Sequence, residues 1–357
     1  MIPLDTARVH AASLVDDLGV GVPAHYGDPE AEVAAFFEGA ALVDRSCRGA
    51  VRVTGADARS FLNSLISQDI AELVEGTGAH ALLLEPRGKL DVDMRVLQTG
   101  PEQFDLTCEV GMGSHLAASL RRFKIRVDAE IEDRSALDGC IAVRGPRAPE
   151  VVEAALGVHV PGEQHSQVRA GDLWVVHADE RPDLDPGPPA PVGVDVVGAR
   201  PALEAAWPVL RAAGALPAGF LAFETVRIAA GAPRQGYDLD STTIAQEAAL
   251  ERDAVSFTKG CFLGQELVCR IDTRGHVNRY LRGLAVDAGT LARWSDAKGH
   301  EVRLGDTSVG QVTSVAPIAA QEAAIRALAL VRREVEPGSQ VEVGATNGPL
   351  TATVLAL

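Results

Sequence analysis

The stretch KGCFLGQE, Lys259 to Glu266, places a cysteine two residues after a lysine, with glycines at 260 and 264 on either side. Glycine admits backbone angles closed to other residues, and GQELVCRIDTRG next carries Leu267, Val268 and Ile271 on one helical face before Gly275 stops the run. Cys261 is thus expected in a tight loop just ahead of a helix N-terminus, where the helix dipole and Lys259 would favour thiolate. Such a thiol is a nucleophile, a redox centre or an anchor for an anionic ligand; the alternative is a small buried hydrophobe, the commoner fate of free cysteine. Cys269 is expected in the core. From Lys259 to Arg282 five cations (Lys259, Arg270, Arg274, Arg279, Arg282) face two acids (Glu266, Asp272), so the local sign is positive. That surplus suits either a solvated helix face with internal ion pairs or a docking site for carboxylate, phosphate or RNA backbone.

Other chemistries find little support. Cys47, Cys108, Cys140, Cys261 and Cys269 are an odd number with no C-x-x-C, and the nine histidines lack H-x-x-x-H or H-E-x-x-H spacing, so neither a disulfide framework nor a metal site is expected. GMGSHL lacks the third glycine of a dinucleotide loop, and no Walker A or G-x-S-x-G motif is present. With 49 acidic against 33 basic side chains the net charge is -16, which repels nucleic acid and anionic membrane over most of the surface. Aromatic residues are 4% of the chain and are not interleaved with the basic segment, so a nucleic-acid stacking platform is not expected. The N-terminus has no basic segment followed by an apolar core, and no run approaches the roughly 20 apolar residues of a membrane span, which reads as a soluble, cytoplasmic protein.

The elements that would position these groups follow from periodicity. DPEAEVAAFFEGA has a capping aspartate, proline at the first helical position and a terminal glycine, and predicts a helix. GAVRVTG alternates as a strand, and ADARSFLNSLI follows at helical spacing. HALLLEPRGKLDVDMRVLQ predicts two strands around a Pro86-Arg87-Gly88 turn, the second with Leu90, Val92, Met94 and Val96 on one face and Asp91, Asp93 and Arg95 on the other. HLAASLRRFKI, RPALEAAWPVLRAAGA and AFETVRIAAGAP predict helices, while IAVRGPRAPEVVEAALG predicts strand, turn and helix. Strands interleaved with helices predict an α+β body over residues 1–282, with a Pro/Gly-rich surface connection near 183–193. Short alternating segments beyond residue 283 predict an all-β domain over 283–357.

KGCFLGQELVCRIDTRGHVNRYLRGL closely resembles the signature of the YgfZ family, folate-binding proteins related to the glycine cleavage T-protein, an aminomethyltransferase. ETVRIAAGAPRQGYDLD and ALVDRSCRGAVRVTGADARSFLNSLISQDI resemble T-protein segments, so the similarity spans most of the chain. The resemblance implies a multidomain ring, with two intertwined α/β subdomains, a C-terminal β-barrel and tetrahydrofolate or a derivative in a central cleft. It implies service to iron-sulphur client proteins in cluster assembly or repair; the alternative is a folate-dependent aminomethyltransferase or demethylase acting on a small amine. By the same resemblance Cys261, Lys259 and Asp93 are the candidate catalytic residues. Arg227, Glu224, Asp195, Gln265 and Arg274 are the candidate folate contacts, with Glu224 orienting Arg227 from one helical turn away. The T-protein's aspartate pair falls on Val92 and Asp93, which implies a relative without glycine-cleavage turnover.

Overall fold

The structure is a computed structural model that describes residues 2–180, 190–287, 290, 293–320, 324–344 and 348–357. The expected connection at 183–193 therefore lies largely outside the described residues.

Two antiparallel sheets form the body, and the chain weaves between them. One has five strands in the order Gly78–Leu84, Leu90–Gly100, Gln103–Val110, Arg48–Thr54, Glu130–Asp133. The other runs Gln167–Ala170, Leu173–His177, Gly193–Ala199, Asp138–Arg144, Ala41–Asp44, with the two-residue strand Leu216–Pro217 added in parallel at its edge. Because Ala41–Asp44 and Arg48–Thr54 are consecutive but belong to different sheets, as do Glu130–Asp133 and Asp138–Arg144, the chain crosses between the two sheets twice within its first 144 residues.

Alternation decides which face is buried. Leu90, Val92, Met94 and Val96 are at most 1% exposed; the last three pack with Phe61, Leu62 and Leu65 of helix Ala58–Leu65 and Leu116 and Leu120 of helix Gly113–Phe123, while Leu90 joins Leu82 and Leu84 in a separate cluster. Asp91 and Asp93 take the opposite face, as period-2 geometry requires. The six-stranded sheet is covered on one side by helices Ala148–Leu156 and Arg200–Ala212, with Trp207 fully buried between them. Its other side meets helices Pro29–Glu38 and Phe220–Ala229. Asp28 caps the first of these by accepting from the Ala31 amide at 3.1 Å, as its sequence position predicts.

The C-terminal strands close into a six-stranded barrel in the order Arg279–Ala285, Ala327–Arg332, Thr307–Val315, Glu301–Leu304, Gln340–Val343, Leu350–Leu355. Its first strand starts at Arg279, a few residues ahead of the expected boundary at 283. The barrel has its own core around Trp294, and a shared apolar cluster joins it to the hairpin (Leu82, Leu84, Leu90) and to Ile228.

The cysteine loop is docked on that hairpin. Gly264 sits at φ +77°, and a Cβ there would stand 2.4 Å from the Glu85 carbonyl oxygen; Gly88, at φ +78°, faces Leu267 Cβ and the Gly264 carbonyl just as closely. Gly260 differs: its φ is not left-handed and no atom lies within 4 Å of its would-be Cβ. We therefore expect Gly264→Ala to cost about 2–3 kcal/mol from strain and overlap, while Gly260→Ala stays within about 0.5 kcal/mol of wild type. Urea denaturation of the two variants side by side checks this; equal midpoints would contradict it.

Candidate functional site

The body encloses a central cavity of about 160 Å³, or about 1030 Å³ counted out to its open mouth. It lies where the inner ends of both sheets meet helix Phe220–Ala229 and the loop that follows it. Six arginines reach it, Arg45, Arg48, Arg95, Arg144, Arg227 and Arg234, together with the acids Asp93, Glu109, Asp179, Glu180 and Asp253.

Arg234 is the hub of this charge cluster. It is 4% exposed, grips Glu109 with two hydrogen bonds of 2.9 Å, and reaches Asp17 at 2.7 Å and Glu224 at 3.1 Å. Burial opposes ionisation of Glu109, but Arg234 and Arg45 outweigh it and hold the carboxyl well below the usual range. Arg227, 2% exposed, spends every guanidinium nitrogen inside the protein. It contacts Glu224 at 2.9 and 2.6 Å, Asp238 at 2.7 Å, the Ala232 carbonyl at 3.1 Å and Ser314 of the barrel at 2.8 Å. The expected partnership of Glu224 and Arg227 is present, and it holds Arg227 as a tie between helix and barrel.

Asp195 is 1% exposed and sits between Arg95 at 2.6 Å and Arg144 at 2.7 Å. Burial raises the cost of its charge, yet the two guanidinium groups prevail and keep it far below the ordinary carboxylate range. It lies behind the wall, and the arginines it orients are what face the cavity. Arg48 donates its Nε to the Cys108 carbonyl at 3.2 Å, and no carboxylate among the described residues lies within 4 Å of it. Arg45 stands 3.6 Å from Glu109 and stacks 4.2 Å over the Phe223 ring. Two half-buried cations beside an aromatic face therefore open onto the cavity, a donor set that fits an anion carrying a flat ring.

Asp93 lines the cavity as expected. Its Oδ1 meets His80 Nε2 at 2.6 Å, the other ring nitrogen of His80 meets Asp253 Oδ2 at 3.0 Å, and the Asp93 amide donates to Gln235 Oε1 at 3.0 Å. Asp91, on the same strand face, is taken instead by His115 at 2.6 Å and Ser119 at 3.0 Å. Burial opposes charge on His80, but Asp93 and Asp253 overcome it and raise its pKa to about 10. His165, 7% exposed and at φ +64°, has its pKa pushed down by burial, and neither of its ring nitrogens has a hydrogen-bond partner among the described residues.

The motif residues stand outside this cavity. Cys261, which the resemblance makes a candidate catalytic residue beside the folate, is exposed and is not among the residues lining this cavity. Lys259 does not face the thiol's chemistry either. Its ammonium donates to the carbonyls of Asn63 (2.8 Å), Ile66 (3.0 Å) and Gln68 (2.8 Å) and to Asn63 Oδ1 (3.0 Å), which are the acceptors at the C-terminal end of helix Ala58–Leu65. A cation there meets the negative end of the helix dipole and pins the loop. Gln265 accepts from the Phe262 amide at 3.1 Å and shapes the loop, and Arg274 is exposed at the far end of helix Gln265–Arg274; neither lines the cavity. Cys269 is part-exposed, a correction to its expected core position. The cationic surplus of 259–282 likewise lies elsewhere, Arg279 being paired with Glu247 at 2.7 Å.

Sequence reasoning missed His80, Asp253, Arg48 and Arg234. For His80 the signal was hidden: plain counting back from the turn pairs Ala81 with Asp93, and only the bulge between Leu83 and Leu84 sets Leu82 opposite Asp93 and brings His80 diagonally beside it.

Interleaved sheets around a charged cavity, with a six-stranded barrel behind, define the mixed α/β architecture of the T-protein fold. The glycine cleavage system aminomethyltransferase T of Bartonella henselae superposes with a TM-score of 0.83 at 20% identity, over 98% of this chain and 94% of that one. The GCVT N-terminal domain profile matches residues 4–178. An aminomethyltransferase of Rubrobacter xylanophilus is 30% identical over 98% of this chain and 91% of its own length. A putative chloroplastic transferase of Arabidopsis thaliana is 25% identical over 87% of this chain and 69% of its own. The chain belongs to the glycine cleavage T-protein (GCVT) family. No helix among the described residues is long and apolar enough to cross a membrane.

The Asp195 arrangement makes a prediction about acid stability. A carboxyl depressed in the folded state contributes stability that is present above its unfolded pKa of about 4 and lost as pH falls through the folded value. Asp195→Asn should cost about 3–5 kcal/mol at pH 7 by stranding Arg95 and Arg144. It should also flatten the fall of urea midpoints below about pH 5; a variant paralleling wild type in acid would refute the assignment.

Proposed function

We propose that the central cavity binds a reduced folate, tetrahydrofolate or a derivative, and that the protein handles the folate's one-carbon unit in a transfer to or from a small amine. The observation that carries this reading is the pairing of an acid-free, half-buried Arg48 and the Arg45–Phe223 stack with Asp93 across one cavity. Cations suit the glutamate carboxylates and a flat face suits a ring, while a carboxylate accepts from ring or amine N–H groups. A bound reduced folate would supply the nitrogen that carries the one-carbon unit. Kinship with aminomethyltransferases supports this over a purely accessory role.

A second reading, favoured by the KGCFLGQE motif and the exposure of Cys261, is a YgfZ-type factor that assists iron-sulphur cluster assembly or repair in client proteins. There the folate cavity would be sensed or occupied while the thiol acts at the surface on a client.

Thermal melting with 5-formyltetrahydrofolate tests binding. At a hundredfold excess over Kd the stabilisation is about 2.7 kcal/mol, a rise of several degrees. Arg48→Met should abolish it and Cys261→Ala should leave it intact; a wild-type chain with no response would remove the folate reading. The two roles separate by function. If Asp93→Asn abolishes folate-dependent turnover of methylated or aminomethylated amines and Cys261→Ala does not, the transferase stands. If Cys261→Ala alone removes support of iron-sulphur enzymes in cells lacking the endogenous protein, the accessory role stands.

A further inference from the structure

His80 is held from both sides. Its Nε2 lies 2.6 Å from Asp93 Oδ1 and its Nδ1 lies 3.0 Å from Asp253 Oδ2. A neutral imidazole has one N–H and one lone pair, so it can donate to only one of two ionised carboxylates and would turn its lone pair on the other. Both contacts are hydrogen bonds to carboxylates only when the ring carries two protons. All three side chains remain about a quarter exposed toward the cavity (His80 23%, Asp93 22%, Asp253 31%), so the array is within a ligand's reach.

The two carboxylates come from different parts of the chain. Asp93 lies in strand Leu90–Gly100, one hairpin turn from His80, whereas Asp253 lies in the short helix Glu251–Ala254, which leads into the cysteine loop. That helix is fastened near His80: the Asp253 carbonyl accepts from Gln68 Nε2 at 2.6 Å and the Ala254 carbonyl from Ser67 Oγ. His165 approaches the same Asp253 oxygen only to 3.9 Å, and burial, with Arg95 nearby, disfavours its charged form, which leaves that carboxylate to His80. On Asp93, Oδ1 is committed to His80, and no described donor reaches Oδ2.

We propose that His80 and Asp253 are positioning residues for Asp93: the imidazolium held from both sides fixes Asp93 Oδ1, leaving Oδ2 to accept from an N–H or cationic nitrogen of the bound folate or amine. The inference rests on reading the cavity as a folate site. Without Asp253, His80 can swing or lose its second proton, and Asp93 loses its aim.

The test uses the full-length chain labelled with ¹⁵N-histidine. At pH 8 wild type should show one ring with both nitrogens protonated, absent from His80→Gln, and Asp253→Asn should lower the midpoint of that ring's titration by at least one pH unit. Affinity for 5-formyltetrahydrofolate should fall at least tenfold in Asp253→Asn, and its pH profile should shift with the midpoint, which a merely structural loss would not produce. A His80 ring titrating near pH 6.5 in wild type, or an Asp253→Asn protein with wild-type affinity and pH profile, would overturn the proposal. If His80→Gln fails to fold, Asp253→Asn and the wild-type spectrum decide alone. A wild-type chain that shows the imidazolium but binds no folate would sink the functional reading and leave His80's protonation established, so the two failures are told apart.

Discussion

A guanidinium taken out of water must be given carboxylates, and the buried polar centre of this protein is arranged to meet that demand at Arg234 and Arg227. Arg234 collects Glu109 from the five-stranded sheet, Asp17 from the hairpin of strands Ser13–Asp17 and Val20–His25, and Glu224 from helix Phe220–Ala229. Arg227 adds Asp238 and the barrel residue Ser314. Desolvating that many charges is repaid only when every lone pair and proton is matched. The network thus specifies one relative placement of sheets, helix and barrel. The cavity is the remaining gap between these parts, and among the described residues Arg48 is its cation without a carboxylate in contact, beside Arg45, which shares Glu109 with Arg234.

Much of this arrangement can be read from residue order. The hairpin at Pro86–Gly88, the helix capped by Asp28 and the alternation of Leu90 to Val96 are local, and each rests on a periodicity or a residue with restricted backbone freedom. The barrel was legible as an all-β end, though its first strand begins at Arg279, inside a stretch whose charges read as a helix flank. Harder to see was which arginine faces a ligand and which is consumed. Arg227 and Arg48 are both arginines in well-patterned elements, yet one meets four partners and the other a single carbonyl. Three of Arg227's partners, Glu224, Ala232 and Asp238, lie within eleven positions of it, but Ser314 is 87 positions away and Arg48's carbonyl partner Cys108 is 60 away, so the contrast is completed only by the tertiary fold.

The cysteine motif illustrates the same limit in another form. Local pattern correctly places Cys261 in a glycine-bounded loop ahead of a helix, but the electropositive character credited to Lys259 assumed a side chain pointing toward the thiol. In three dimensions the ammonium has four closer oxygen acceptors at the end of helix Ala58–Leu65, and it takes them. Lysine here acts as a peg. What it secures is an outward-facing sulphur on a loop whose other end carries Asp253.

The bond from Arg227 to Ser314, with Asp238 accepting from both Thr313 and Ser314, makes the barrel part of the body's charge balance. Cutting the chain ahead of residue 279 would therefore expose an arginine and an aspartate that have no reason to stay where they are, and open the apolar seam around Leu82 and Leu328 besides. The C-terminal strands behave as a keystone, so shuffling them onto another protein, or trimming them away, dismantles the chamber they never touch.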